Sequence, residues 1–159
     1  MKVVQERRGG KLIGESLITQ MSVRLMVPFI QLFGLYVIAH GHYSPGGGFQ
    51  GGVALGASFI LYALVFGLDA SFGRFSERAN AIVGNIGVLI YCGTAALTAI
   101  LGGLFLDYTA FTVLIPMEAA EWRSLGVFIV ELGVGLAVMS IMVSLFWDLG
   151  SAGNMDEGL

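Results

Sequence analysis

The chain predicts an all-α membrane protein: four transmembrane helices, with a glycine-rich loop between helices 1 and 2. Three observations carry this reading. First, 56% of the 159 residues are hydrophobic and only 12% are charged, with a mean hydropathy of +0.83, whereas soluble domains carry roughly 25% charge. Second, the apolar residues gather into four runs, each long enough to cross a hydrocarbon core of ~30 Å at a helical rise of ~1.5 Å per residue. Third, no run alternates apolar with polar residues as a barrel strand would. Helix 1 is expected over 21–39, with Pro28 near its start, and helix 2 over 49–68. Helix 3, over 81–106, is the longest and crosses with tilt. Helix 4 is expected over 125–147.

This divides the chain into an interfacial or cytoplasmic segment 1–20, a membrane domain 21–147 and a cytoplasmic tail 148–159. Segment 12–20, LIGESLITQ, is a weak candidate for a short interfacial helix. The basic start is not read as a cleaved signal peptide, because about 20 residues precede the apolar run and no small-residue cleavage site follows it. Lys2, Arg7, Arg8, Lys11, Arg24, Arg74 and Arg78 fall at the termini or in the second connection, against Arg123 alone in the third. That bias puts both termini in the cytoplasm and residues 40–48 and 107–124 outside or in the periplasm. A net charge of −3, with no basic stripe, argues against nucleic acid as a partner. The bilayer itself is the first expected partner.

The polar break HGHYSPGGGFQGG, residues 40–52, interrupts this oily chain. Pro45 lacks an N–H, and Gly46, Gly47 and Gly48 lack a Cβ, so a helix cannot run through. Irregular backbone near membrane depth survives only where protein or a watery cavity satisfies it. Gly48, Gly52 and Gly56 continue into helix 2 at four-residue spacing, with Gly47 and Gly51 as a parallel pair and Phe49 between. Small residues so spaced let another helix approach closely. The glycines are not a phosphate loop, since no Lys-Ser/Thr follows and no strand precedes. His40 and His42 have two readings: hydrogen-bonded residues at a helix end, or stations on a proton or ion path. They do not make a metal site, lacking a cysteine or nearby carboxylate to complete one. No cofactor-binding motif is present, and Cys92, the single cysteine, reads as a small buried hydrophobe.

Glu131 lies about six residues inside the fourth apolar run, in GVFIVELGVGLAV. A carboxyl at that depth is costly and faces a bundle interior or a wet cavity. It either pairs structurally with a neighbour or serves an ion path. The end of helix 1 and the start of helix 4 lie on the same side of the membrane, so His40, His42 and Glu131 fall in one half. Arg24 is placed to snorkel. Gln31 and Asn85 are expected to bond across helices, Asp69 and Asp148 to be solvated ends, and Glu118 and Glu121 to lie at the surface.

LYVIAHGHYSPGGGFQGG, residues 35–52, resembles the signature of the MnhB family, the B subunit of Mrp-type multisubunit cation/proton antiporters. The length, the four helices and Glu131-Leu132-Gly133-Val134 are similar too, and the likeness runs from about residue 21 to 147. The family most often has aspartate where this chain has Glu131, a change that keeps the carboxyl and alters its reach. The resemblance implies a non-catalytic subunit of a prokaryotic cell-membrane complex. There it assembles with other Mrp-type membrane subunits that exchange sodium for protons. It equally implies the equivalent subunit of a redox-driven pump such as a membrane-bound hydrogenase, whose redox arm is another chain. A purely structural scaffold is the third reading.

Overall fold

 A computed structural model describes residues 16–41, 46–113, 115, 116 and 118–151. Helix α1, Leu17–Ala39, begins after an extended Ser16 and keeps Pro28 inside it. Its start precedes the expected one, since the apolar Leu17 and Ile18 extend the run; residues 12–15 of the proposed interfacial segment lie outside the described residues. Helix α2, Gly48–Phe66, stops at Gly67, whose φ of +89° only glycine adopts at low cost. A short helix α3, Leu68–Arg74, follows directly. Helix α4, Glu77–Ile100, opens on Ser76, whose hydroxyl accepts the Ala79 N–H at 3.3 Å.

Helix α4 ends six residues before the expected Leu106, although LFL continues the apolar run. The reason is local. Gly102 at φ +85° turns the chain left-handed. Its N–H bonds the Ala99 carbonyl, and the Gly103 N–H bonds the Thr98 carbonyl at 3.1 Å. This pair of bonds is the Schellman stop. A 3-10 segment, Tyr108–Val113, is opened by Asp107, whose carboxylate accepts from the Thr109 hydroxyl at 2.6 Å and the Thr109 N–H at 3.1 Å. Those two bonds, in that order, hold the Asp107 carboxyl below its ordinary 3.8. Helix α5, Ala119–Gly150, starts after Pro116 and an extended Glu118. It is longer at both ends than its apolar run.

Four helices, α1, α2, α4 and α5, are long and apolar enough to cross a membrane, and there is no strand among the described residues. The chain is a multi-pass membrane protein. The helices stand in a row, α1–α2–α5–α4, with α2 and α5 central and α1 and α4 at the edges. In lipid the apolar side chains gain little by leaving one membrane environment for another, so the row is held by close packing and interhelical hydrogen bonds. Gly51 and Gly52 of α2 serve different neighbours. A Cβ on Gly51 would stand 2.7 Å from the Gly34 carbonyl oxygen of α1, and one on Gly52 would stand 2.5 Å from the Gly135 carbonyl oxygen of α5. Between α4 and α5, a Cβ on Gly87 would meet the Gly133 carbonyl oxygen at 2.6 Å. Nearer the α3 end, the buried Asn80 amide donates to the Ser140 carbonyl at 3.0 Å and the Ser144 hydroxyl at 2.8 Å. Trp147 closes that end by donating to Ser71 at 3.1 Å.

Three expectations need correction. Cys92 is exposed, not buried, and neither Gln31 nor the exposed Asn85 bonds to another helix among the described residues. Cys92 and Asn85 lie on the outer side of α4, which as an edge helix has one covered face only. Arg24 lies with its guanidinium 5.3 Å from the Phe66 ring centroid.

Candidate functional site

Glu131 is the centre of the site. Helix α5 begins at Ala119, so Glu131 stands twelve residues inside it, about 18 Å along the axis, twice the depth that the apolar run suggests. It nevertheless meets the turn that joins α1 to α2. Its carboxyl lies where a Cβ of Gly41 or Gly47 would stand, and its backbone carbonyl oxygen lies where a Cβ of Gly48 would stand. Gly41, Gly47 and Gly48 are therefore moulded on Glu131, and any side chain at those positions displaces either the carboxyl or α5 itself. Oε2 of Glu131 is buried. Gly47 and Gly48 are the cap and first residue of α2, so the positive end of that helix's dipole falls beside an acidic side chain.

A cleft of about 530 Å³ opens here, lined by Gly41, Gly47, Phe49, Gln50, Val130 and Glu131 among others. Of the residues singled out from sequence, the structure brings Gly46, Gly47, Gly48, Phe49 and Glu131 to this cleft. Gly51, Gly52 and Gly56 lie farther along α2 as packing positions, Gly56 with its Cβ site 3.2 Å from the Met142 Cβ. His40 is exposed at the end of α1, its Nδ1–H donating to the Tyr36 carbonyl at 3.1 Å and its ring stacked on Tyr36 at 4.1 Å. It is not among the residues lining the cleft. His42 and Pro45 lie outside the described residues.

Sequence reasoning missed Gly41 and Gln50. Gly41 carried a signal, as a glycine between two histidines at a helix end; Gln50 carried one as an amide in the first turn of an apolar helix. Among the described residues no three His, Cys, Asp or Glu side chains gather to hold a metal. Chemically the site offers one titratable carboxyl, polar backbone from a glycine turn, and space for water or a small cation.

The family described as "Domain related to MnhB subunit of Na+/H+ antiporter" matches residues 18–144. Relatives named "Putative antiporter subunit mnhB2" occur in several staphylococcal strains, of which RP62A of Staphylococcus epidermidis and MRSA252 of Staphylococcus aureus are two. The one from Staphylococcus epidermidis is 34% identical over 125 residues, covering 78% of this chain and 87% of the relative. The one from Staphylococcus aureus is 30% identical over 129 residues, covering 80% and 90%. The glycine-rich connection, Glu131, α2 and α4 lie within the matched stretch, as do α1 and α5 but for their outer ends, and the chain belongs to the MnhB-related family.

Proposed function

We propose that this protein is a membrane subunit of a multisubunit antiporter that exchanges Na+ for protons, and that Glu131 forms part of its ion path. The family and its relatives' names support the first half. One observation carries the second: a carboxyl deep in a spanning helix is packed into a glycine turn at the wall of a cleft of about 530 Å³. Burying such a carboxyl is costly, and ionisable residues inside spanning helices mark ion and proton paths. His40, exposed at the end of α1 and next in sequence to the cleft-lining Gly41, is proposed as a further station on that path. With Nδ1–H committed to the Tyr36 carbonyl, its other nitrogen is left to exchange protons; His42, two residues on, is proposed as its companion.

In this proposal the subunit performs no bond chemistry. The segment 1–20, the α3 connection and the tail 148–159 face the cytoplasm of a prokaryotic cell, as the arginine and lysine bias indicates. Pumping subunits are other chains of the assembly. The test is Glu131→Gln, which keeps shape and removes charge. We expect the complex to assemble at wild-type level while Na+-dependent proton exchange in membrane vesicles falls to background. Exchange at the wild-type rate in the assembled variant would refute a direct role for the carboxyl.

A further inference from the structure

Helix α4 stands at the edge of the row and leaves a face uncovered. Arg78, Ile82, Asn85, Leu89, Cys92 and Ala96 are all exposed on it. Their spacing alternates four and three residues, the heptad spacing of a helix–helix seam. Asn85 sits in the middle of that row, eight residues beyond Glu77 and so about 12 Å along the helix. Its amide finds no partner within this chain among the described residues. Lipid offers it neither donor nor acceptor, and a primary amide left so in hydrocarbon is strongly unfavourable. An aqueous wall is excluded by its neighbours: Ile82, Ile86 and Leu89 are 59%, 45% and 67% exposed on the same face.

We propose that this face of α4 docks a transmembrane helix of a different membrane subunit. That helix sets a hydrogen-bonding side chain against Asn85 and an acidic one against Arg78. The inference rests on the subunit reading above and adds the surface and the chemistry of the neighbour. Arg78 decides against a second copy of this chain. Two copies in one bilayer share one orientation, so a twofold axis along the membrane normal would set Arg78 against Arg78, and like charges so placed repel. A different chain can answer the guanidinium with a carboxylate and the amide with its own polar group. The upper half of the row suits close approach, since Cys92 and Ala96 are small and a Cβ on the neighbouring Gly93 would touch nothing within 4 Å.

The test places a photoreactive benzoylphenylalanine at Leu89 in the full complex, irradiates native membranes and identifies the adduct by mass spectrometry. We expect one cross-link, to a different membrane subunit. In the Asn85→Leu background its yield should fall about threefold to tenfold, and Asn85→Gln should restore it. Lipid adducts alone, a cross-linked pair of this chain, or an unchanged yield in Asn85→Leu would each overturn the proposal. If tagged wild-type protein co-purifies with no membrane partner, the subunit reading falls as well; partners that co-purify without cross-linking at Leu89 sink this interface alone.

Discussion

Gly48 has no room for a side chain, and the reason is an atom that cannot step aside. The nearest obstacle to a Cβ is the Glu131 carbonyl oxygen, part of the α5 backbone. Gly48→Ala must therefore push α2 off α5, where overpacking costs about 1–3 kcal/mol. Gly73 in α3 is the opposite case, with nothing within 4 Å of its Cβ position. There alanine gains about 0.5–1 kcal/mol through the restricted unfolded chain and better helix propensity. Thermal unfolding in detergent should show Gly48→Ala falling by several degrees and Gly73→Ala rising by a few; equal shifts would mean that the α2–α5 contact is slack. The same contact explains why Glu131 was legible in the sequence while its setting was not. A carboxyl in an apolar run announces itself. That Gly41, Gly47 and Gly48 fold around it depends on tertiary packing, which no local pattern encodes.

Between α4 and α5 the decisive contact is polar. Asn80 donates to Ser140 and Ser144, and the Ser140 hydroxyl returns a bond of 2.7 Å to the Asn80 carbonyl. A double-mutant cycle of Asn80→Ala and Ser144→Ala should give a coupling energy of about 0.6–1.7 kcal/mol, the range for interhelical polar pairs in membranes. Strict additivity in unfolding measurements would show that the 2.8 Å bond contributes nothing. At this scale the four helices were readable because apolar runs report the membrane. Their ends were less so, since hydropathy marks the bilayer and not the helix. Helix α5 starts six residues before Leu125, in a polar first turn around Glu121 and Arg123. Helix α4 stops at glycines inside an apolar stretch. Asn85 and Cys92 were misplaced for a related reason: a helix at the edge of a row exposes a face whose apolar composition matches a buried one.

The whole molecule is a stepped row. Gly41 and Gly47, at the facing ends of α1 and α2, lie level with Glu131, while α5 continues twelve residues past that level to Ala119. The apolar run of α5 supplies a membrane frame for this step. Glu131 is six residues from Leu125, about 9 Å, and sixteen from Trp147, about 24 Å. Together they match a hydrocarbon core of ~30 Å. At the far boundary Trp147 meets Ser71, and Arg24 lies over Phe66, as expected where polar and aromatic side chains meet the interface. Gly41, Gly47 and Glu131 then lie about 9 Å inside the core. Irregular backbone at such a depth needs a wet cavity or protein around it, and the cleft of about 530 Å³ supplies the space. Accessibility of single cysteines tests this in a Cys92→Ala background. Val134 lines the cleft, whereas Leu145 is 56% exposed on the outside of the same helix. Thiols react as thiolates, which form in water and not in lipid. A membrane-impermeant methanethiosulfonate should therefore label Val134→Cys and spare Leu145→Cys. If both stay unlabelled in the assembled complex, the cleft is dry, and the carboxyl of Glu131 is held by protein alone rather than reached by ions from the surface.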